Sequence, residues 1–218
     1  MSLSVPQEQF LRHGDLPHRS PLLHPGWSYV EKADYYTFER ADVDLLHRQH
    51  DAFDAERRAA VVLGLLVAGK NEPSYGYQIN NYRHSLQSAT KLLRAGFDEE
   101  HVVVGLLHDV GFLACPERHG AFSAELLGGY VSERNYWMLR HHQMFAAFEL
   151  VDEPIPPLGS RTWERWREHE HFEWTYEFVR GFDVNAMDPN YQAEELEFFE
   201  PMVQRIFSRV PKPPVLDD

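Results

Sequence analysis

The chain has 218 residues and a mass of 25.5 kDa, a size that suits one domain or one domain with an additional arm. Apolar residues make up 43% and charged residues 25% of the chain, which excludes extensive disorder. The formal charge of −13 repels phosphate backbones and anionic lipids, so we expect neither nucleic acid nor a membrane as partner and favour a small-molecule ligand.

Three further features predict a cytoplasmic protein without a transmembrane segment. The single cysteine, Cys115, cannot form an internal disulfide. The opening sequence MSLSVPQEQF lacks the basic and then apolar pattern of a signal peptide. The longest apolar stretch, Ala59 to Ala68, is about half as long as the roughly 20 residues that a membrane-spanning helix needs.

In chain order, the pattern predicts an irregular N-terminal arm over residues 1–50, a helical body over 51–210 and a frayed tail over 211–218. The arm is rich in proline, and its apolar residues follow no period. Helical spacing with start and stop residues predicts helices over residues 54–70, 84–94, 98–107, 119–127, 133–150, 161–180 and 194–208. Because no segment alternates strictly between apolar and polar residues, the predicted fold class is all-α.

The most specific local motif is LLHDVG at residues 106–111, where an apolar helix ends in His108 and Asp109 before a glycine. Imidazole nitrogen and carboxylate oxygen together suit a divalent transition metal, and a carboxylate can bridge two ions. The pair alone also fits an ordinary helix end, since the helix dipole favours histidine there. Further histidines and a carboxylate along the chain favour the metal interpretation.

The order H…HD…H…H…D resembles that of the HD-domain superfamily of metal-dependent phosphohydrolases and oxygenases. Its members here are His84, His108, Asp109, His119, His142 and Asp183. Within it, HSLQSA at residues 84–89 resembles the H-x-L-Q-[ST]-A of the branch that includes myo-inositol oxygenase and the HD-domain phosphonate-cleaving oxygenases. Residues 188–203 resemble the C-terminal signature of the phosphonate oxygenases. The likeness covers about residues 54–207 and implies an HD-domain helical bundle.

The resemblance also implies a mixed-valent di-iron site. One iron would be held by His84, His108 and Asp183, the second by His119 and His142, and Asp109 would bridge both. His141 competes with His142 for one of these roles. We prefer His142 because it aligns with the histidine of a family Arg-x-His, although both would bind at a trinuclear site.

Several positions depart from the family and bear on the substrate. Phe112 follows HDVG where relatives usually keep Lys or His, and residues 143–147 lack the Lys of the phosphonate enzymes. Because these losses remove contacts to an anion, they disfavour a phosphonate substrate. Tyr75 and Tyr77 lie in a loop that resembles the family's substrate lid, with Tyr77 where the family has Glu.

The remaining candidates have more ordinary interpretations. Arg180 matches a family arginine and is expected to orient Asp183. We expect surface positions for three histidines that lie among acidic residues, namely His101, His169 and His171. We expect core packing from Trp163, Trp166, Phe172, Trp174 and Phe178.

The sequence thus favours a di-iron oxygenase that uses dioxygen to oxidise a small polar metabolite bearing a hydroxyl or an amine. The alternative is a metal-dependent phosphohydrolase, in which the same ligands hold Mn, Mg, Fe or Zn and activate water against a phosphate ester. Basic residues near the motifs are sparse, which disfavours this alternative. A third interpretation is a metal-stabilised sensor or binding module without enzymatic activity.

Overall fold

The computed structural model describes residues 27–30, 32, 34–146 and 162–213. Across these ranges the chain is helical without any β-strand, which confirms the all-α prediction. The chain divides into two compact units, Met1–Glu56 and Arg57–Asp218. Within the described ranges, no helix combines the length and the apolar character that crossing a membrane requires.

The described residues form seven α-helices. They are α1 (Arg40–Ala68), α2 (Asn81–Arg94), α3 (Glu99–Leu107), α4 (His119–Leu127), α5 (Glu133–Ala146), α6 (Phe172–Phe178) and α7 (Leu196–Phe207). Short 3₁₀ helices lie at Tyr35–Thr37, Gly69–Asn71, Pro116–Arg118 and Thr162–Trp166, and a π-helical turn, Val179–Asp183, follows α6 directly.

Two helices begin earlier than the sequence predicts. α1 begins at Arg40, so residues 40–50 of the expected irregular arm are helical. No glycine or proline occurs between Trp27 and Leu63, and the polar residues there continue the helix upstream of the apolar run that set the prediction. α2 begins at Asn81 because the side chain of the preceding Asn80 accepts a hydrogen bond from the backbone of the first turn.

The single helix predicted over residues 161–180 is replaced by a 3₁₀ helix, a turn and α6. The backbone carbonyl of Trp166 accepts from the His169 N–H at 2.8 Å, which closes the turn between them. Trp166 stacks on Phe145 of α5 with ring centroids 6.1 Å apart, and this tertiary contact overrides the helical pattern. The predicted continuation of α5 beyond Ala146, to residue 150, lies outside the described residues.

The end of the described chain also differs from the predicted frayed tail. The Lys212 backbone N–H donates to the Gly129 carbonyl at 2.8 Å, and Lys212 Nζ donates to the Val131 carbonyl at 2.8 Å. Residues 214–218 lie outside the described range.

The core of the second unit is formed where α2 and α3 pack on each other, with α5, α6 and α7 around them. The largest fully buried apolar side chains are Leu92, Leu106, Leu107, Leu127, Met138, Leu139, Phe178, Phe199 and Ile206. Burial of such side chains contributes about 1.5 to 3 kcal/mol each. This packing brings the C-terminal end of α3 and the first residue of α4 beside α5.

Candidate metal centre

The six residues predicted as metal ligands come together at one buried place. His84 lies in α2, His108 and Asp109 follow α3, His119 begins α4, His142 lies in α5, and Asp183 ends the π-helical turn. Their ligand atoms form three overlapping groups of three, each with its atoms within 4.8 Å of one another. These buried His and Asp groups can therefore hold a metal ion.

The four histidines of the cluster share one hydrogen-bonding pattern, in which each ring places Nδ1 against a backbone carbonyl. The pairs are His84 with Ala186 at 3.1 Å, His108 with Gly105 at 2.8 Å, His119 with Pro116 at 2.7 Å and His142 with Leu139 at 2.8 Å. Because a carbonyl oxygen can only accept, each Nδ1 carries the proton, and in the neutral ring Nε2 keeps its lone pair. Metal-binding histidines typically show this arrangement.

The spacing of the nitrogens fits a shared ion. His84 Nε2 and His108 Nε2 lie 3.1 Å apart, and Asp183 Oδ1 lies 3.4 Å from His84 Nε2. Two nitrogens at about 2.1 Å from one ion, roughly 90° apart, would be separated by about 3 Å. Two lone pairs facing each other at this distance repel unless a cation or a proton lies between them.

Asp109 directs its two oxygens towards different histidines. Oδ1 lies 3.1 Å from His119 Nε2, 3.2 Å from His142 Nε2 and 3.7 Å from His108 Nε2, whereas Oδ2 lies 3.6 Å from His84 Nε2. A carboxylate placed in this way can bind two ions, one through each oxygen. The donor set therefore fits two metal positions that share Asp109.

The electrostatics of the centre favour positive charge. Burial lowers the pKa of His108, but the carboxylates of Asp109 and Asp183 outweigh burial and raise this pKa to about 9. Burial raises the pKa of Asp109 and Asp183, but the facing imidazoles outweigh it and hold both pKa values below their usual range. The pKa of His142 is lowered, chiefly by burial. The two carboxylates thus stay ionised and attract a cation.

Two glycines allow the ligand-bearing segments to approach closely. A Cβ at Gly111 would lie 2.8 Å from the carbonyl oxygen of His119. A Cβ at Gly120 would lie 2.8 Å from the carbonyl oxygen of Leu139 and 3.2 Å from Cε1 of His142. Both positions therefore require glycine, because any side chain would push the histidines of α4 and α5 away from the cluster.

The π-helical turn sets the position of Asp183. The Val184 backbone N–H donates to the Val179 carbonyl at 3.0 Å, five residues back, so the backbone is wider here than in an α-helix. Downstream, the Gln87 amide donates to the Asp188 carbonyl at 2.7 Å and accepts from the Asp188 N–H at 3.2 Å. α2 thus holds the segment that supplies both Asp183 and the Ala186 carbonyl.

Sequence reasoning missed the supporting roles of Asn81 and Gln87. Asn81 Nδ2 donates to the carbonyl of Asp109 at 3.1 Å and so fixes the backbone of the shared carboxylate. Gln87 belongs to the HSLQSA motif, but its partner lies far along the chain, so no local pattern indicates its role. Asn80 could have been recognised as a helix-capping residue directly before the motif-bearing helix.

A cavity of about 310 Å³ lies beside the cluster. It is lined by His84, Asp109, His119, His142 and Asp183 at the ligand end and elsewhere by Ser74, Tyr75, Tyr77, Ile79, Asn80, Asn81, Phe112, Gln143, Ala146, Val184 and Met187. The three residues predicted to contact substrate, Tyr75, Tyr77 and Phe112, are all among them. The Phe112 ring lies 5.4 Å from the His119 ring and 6.3 Å from the Tyr75 ring, centroid to centroid.

The structure separates the two neighbouring histidines of α5. His142 faces the cluster, whereas His141 stacks on Trp137 with ring centroids 4.2 Å apart and belongs to none of the ligand groups. His169 stacks on the other side of Trp137 at 4.3 Å. The preference for His142 over His141 thus agrees with the geometry.

Two expectations need correction. His101 is buried rather than at the surface, because it donates to Asp98 at 2.6 Å, accepts from Arg134 at 2.7 Å and packs edge-on against the Trp174 ring. Arg180 is exposed. Among the described residues, its guanidinium donates to the Tyr176 hydroxyl, and no hydrogen bond or ion pair joins it to Asp183. One turn of helix places Arg180 beside Tyr176, on the outer side of the chain.

The aromatic residues expected in the core divide into two groups. Phe172, Trp174 and Phe178 are buried, and Phe178 packs against the His108 ring with centroids 5.3 Å apart. Trp163 and Trp166 are half-buried and cover Phe145.

Comparison with known proteins gives no assignment: no protein-family model matches the chain, and no curated protein matches it. The functional conclusion therefore depends on the chemistry of the site itself.

Proposed function

We propose that this chain is a di-iron oxygenase of the HD-domain type, which uses dioxygen to oxidise a small polar metabolite bearing a hydroxyl or an amine. The observation that carries the proposal is the set of four imidazole Nε2 atoms gathered around a carboxylate whose two oxygens face different histidines. The H…HD…H…H…D order and the HSLQSA motif support the same assignment. When bound, the iron pair supplies dioxygen activation and a Lewis acid for a substrate hydroxyl.

The surrounding residues have separate tasks in this proposal. Asn81 holds the backbone of Asp109 and keeps its carboxylate between the two groups of histidines. Phe112 lies beside His119, and Tyr75 lines the same cavity, so both rings can contact a substrate bound next to the ligands. A substrate bound in this cavity would lie next to the metal ligands and so in position to react.

The same ligands would also suit a phosphohydrolase with Mn, Mg or Zn, but the cavity favours the oxygenase. Among the described residues that line it, none is Lys or Arg. A phosphate ester needs cations or several hydrogen-bond donors to offset the loss of its hydration. The cavity beside the cluster likewise favours an enzyme over a metal-stabilised sensor, because a purely structural ion needs no adjacent space.

Metal analysis with spectroscopy tests the proposal. Protein purified without oxygen is expected to contain two irons per chain and, after partial oxidation, to give the EPR and Mössbauer signals of a mixed-valent pair. His142→Ala should lower the iron content strongly, whereas the matched control His141→Ala should keep it, because only His142 faces the cluster. A mononuclear or iron-free protein that hydrolyses phosphate esters would contradict the proposal.

A further inference from the structure

The cavity presents one amide whose orientation is fixed by the backbone. Gln143 follows the ligand His142 in α5, and its Nε2 donates to the Glu117 carbonyl at 3.2 Å and more weakly to the Pro116 carbonyl at 3.5 Å. Because carbonyl oxygens only accept, the NH₂ end of this amide is occupied by the protein. Oε1, an acceptor, is the end available to a ligand.

A second amide in the cavity is oriented in the same sense. Asn81 directs its Nδ2 to the carbonyl of Asp109, and among the described residues no donor reaches its Oδ1. In both amides the N–H groups donate to backbone carbonyls, and the oxygens, Gln143 Oε1 and Asn81 Oδ1, accept no hydrogen bond from the described residues. These two oxygens recognise a hydrogen-bond donor and repel an anion.

Most of the remaining lining is apolar or aromatic and is formed by Phe112, Tyr75, Tyr77, Ile79, Val184, Met187 and Ala146. The other polar residues are Ser74 and Asn80. The Asn80 amide is bonded at both ends, because Nδ2 donates to the Lys70 carbonyl at 2.9 Å and Oδ1 accepts from the Arg83 N–H at 3.1 Å. As noted above, no cationic side chain lines the cavity within the described part of the chain. The charge of −13 on the whole chain acts in the same direction at long range, because it attracts cations and repels anions.

We infer that the substrate carries a hydrogen-bond donor, an ammonium or amide N–H group, that faces Gln143 and is joined by an apolar body to the group that binds the metal. Gln143 is then the specificity-determining residue, accepting from that donor through Oε1. The inference rests on the proposed function in one respect, namely that the other end of the substrate binds the metal ions. It disfavours a carboxylate, phosphate or phosphonate as the group that faces Gln143, because Oε1 can only accept.

Three matched probes test this inference. 4-(Aminomethyl)mandelate, 4-methylmandelate and 4-carboxymandelate share an α-hydroxy acid that chelates metal and an aromatic body, and they differ only in the distal group. Their dissociation constants are measured by calorimetry on the iron-loaded protein without oxygen. We expect the aminomethyl probe to bind at least tenfold tighter than the carboxy probe, with the methyl probe between them.

Two variants locate the effect at Gln143. Gln143→Lys can still donate to the Glu117 carbonyl but replaces the free acceptor with a cation, so it should reverse the order of the aminomethyl and carboxy probes. Gln143→Met keeps the length of the side chain without an acceptor, so it should bring the aminomethyl and methyl probes to within about threefold of each other. Circular dichroism and iron content check that each variant is folded and loaded.

The outcomes separate this inference from the proposed function. Tightest binding of the carboxy or the methyl probe to the unaltered protein would overturn the inference. So would a preference for the aminomethyl over the methyl probe that is as large in Gln143→Met as in the unaltered protein. A protein that holds no iron would contradict the proposed function instead. In that case the ranking of the three probes on the metal-free protein still decides which group the cavity wall recognises.

Discussion

Glu100 at the start of α3 offers a quantitative test of how the metal-bearing helices are held together. Its Oε1 accepts from the Ser132 N–H at 2.7 Å and from Asn135 Nδ2 at 2.9 Å, and its Oε2 accepts from Arg209 Nη1 at 2.6 Å. Ser132 and Asn135 belong to the start of α5, so one carboxylate joins the helix that leads into His108 to the helix that carries His142.

The magnitude follows from the pKa of Glu100. Burial raises this pKa, but the hydrogen bonds from Ser132, Arg209 and Asn135 outweigh burial and lower it from 4.5 to about 2. Since the folded state prefers the ionised form, the stabilisation is fully present above pH 4.5 and is lost as the pH falls through about 2. The shift corresponds to about 3 kcal/mol at neutral pH.

We therefore expect Glu100→Gln to lower the free energy of unfolding at pH 7 by about 2 to 3 kcal/mol, because the amide cannot accept from Arg209 as a carboxylate does. The matched control is Glu99→Gln on the same helix, whose exposed pair with Arg205 should contribute less than about 1 kcal/mol. Urea unfolding at pH 7 and near pH 2.5 measures both variants. Equal losses for the two variants, or a Glu100→Gln loss that does not shrink at the lower pH, would refute the reasoning.

Three further predictions concern the metal centre. Asp109→Ala should remove both metal ions, because each oxygen of this carboxylate faces a different set of histidines; retention of one tightly bound ion, measured as metal per chain, would show that Asp109 serves a single position. Gly120→Ala should destabilise the protein by about 1 to 3 kcal/mol and weaken metal binding, because the added Cβ would contact Leu139 and His142. The control Gly64→Ala has open space around it and should leave the stability in thermal unfolding unchanged or raised. Metal binding must displace a proton from His108, whose pKa is about 9 in the metal-free protein. The affinity for zinc should therefore rise about 30-fold between pH 6.5 and pH 8 for each proton released. A zinc affinity that does not change with pH would contradict this.

The ligand candidates can be predicted from the sequence because their residue types are unusual in their local context. His108 and Asp109 end an apolar helix, and such a helix end rarely combines an imidazole and a carboxylate without a reason. Their common location was a prediction from the family pattern, and the structure brings all six ligand candidates together. The helix ends were less accessible, since α1 continues through polar residues that carry no periodic signal.

The supporting residues cannot be identified from the sequence, because their roles depend on neighbours far along the chain. Gln143 and Asn81 are ordinary polar residues at helix positions, and only the tertiary structure shows which carbonyls receive their amide hydrogens. His101 was misplaced for the related reason that acidic sequence neighbours suggested a surface. Its burial is decided by Trp174, which packs on it from α6.

The four imidazoles differ in how far along the chain their carbonyl acceptors lie. His108, His119 and His142 each donate to a carbonyl only three residues upstream, so their tautomers are set as soon as the local backbone forms. His84 instead depends on Ala186, which lies in the same segment as Asp183. Release of that segment would free one carboxylate and one imidazole together while leaving Asp109, His119 and His142 in place. The two proposed metal positions would therefore be unequal, and we expect gradual chelation of the metal-loaded protein to remove the ion beside Asp183 first.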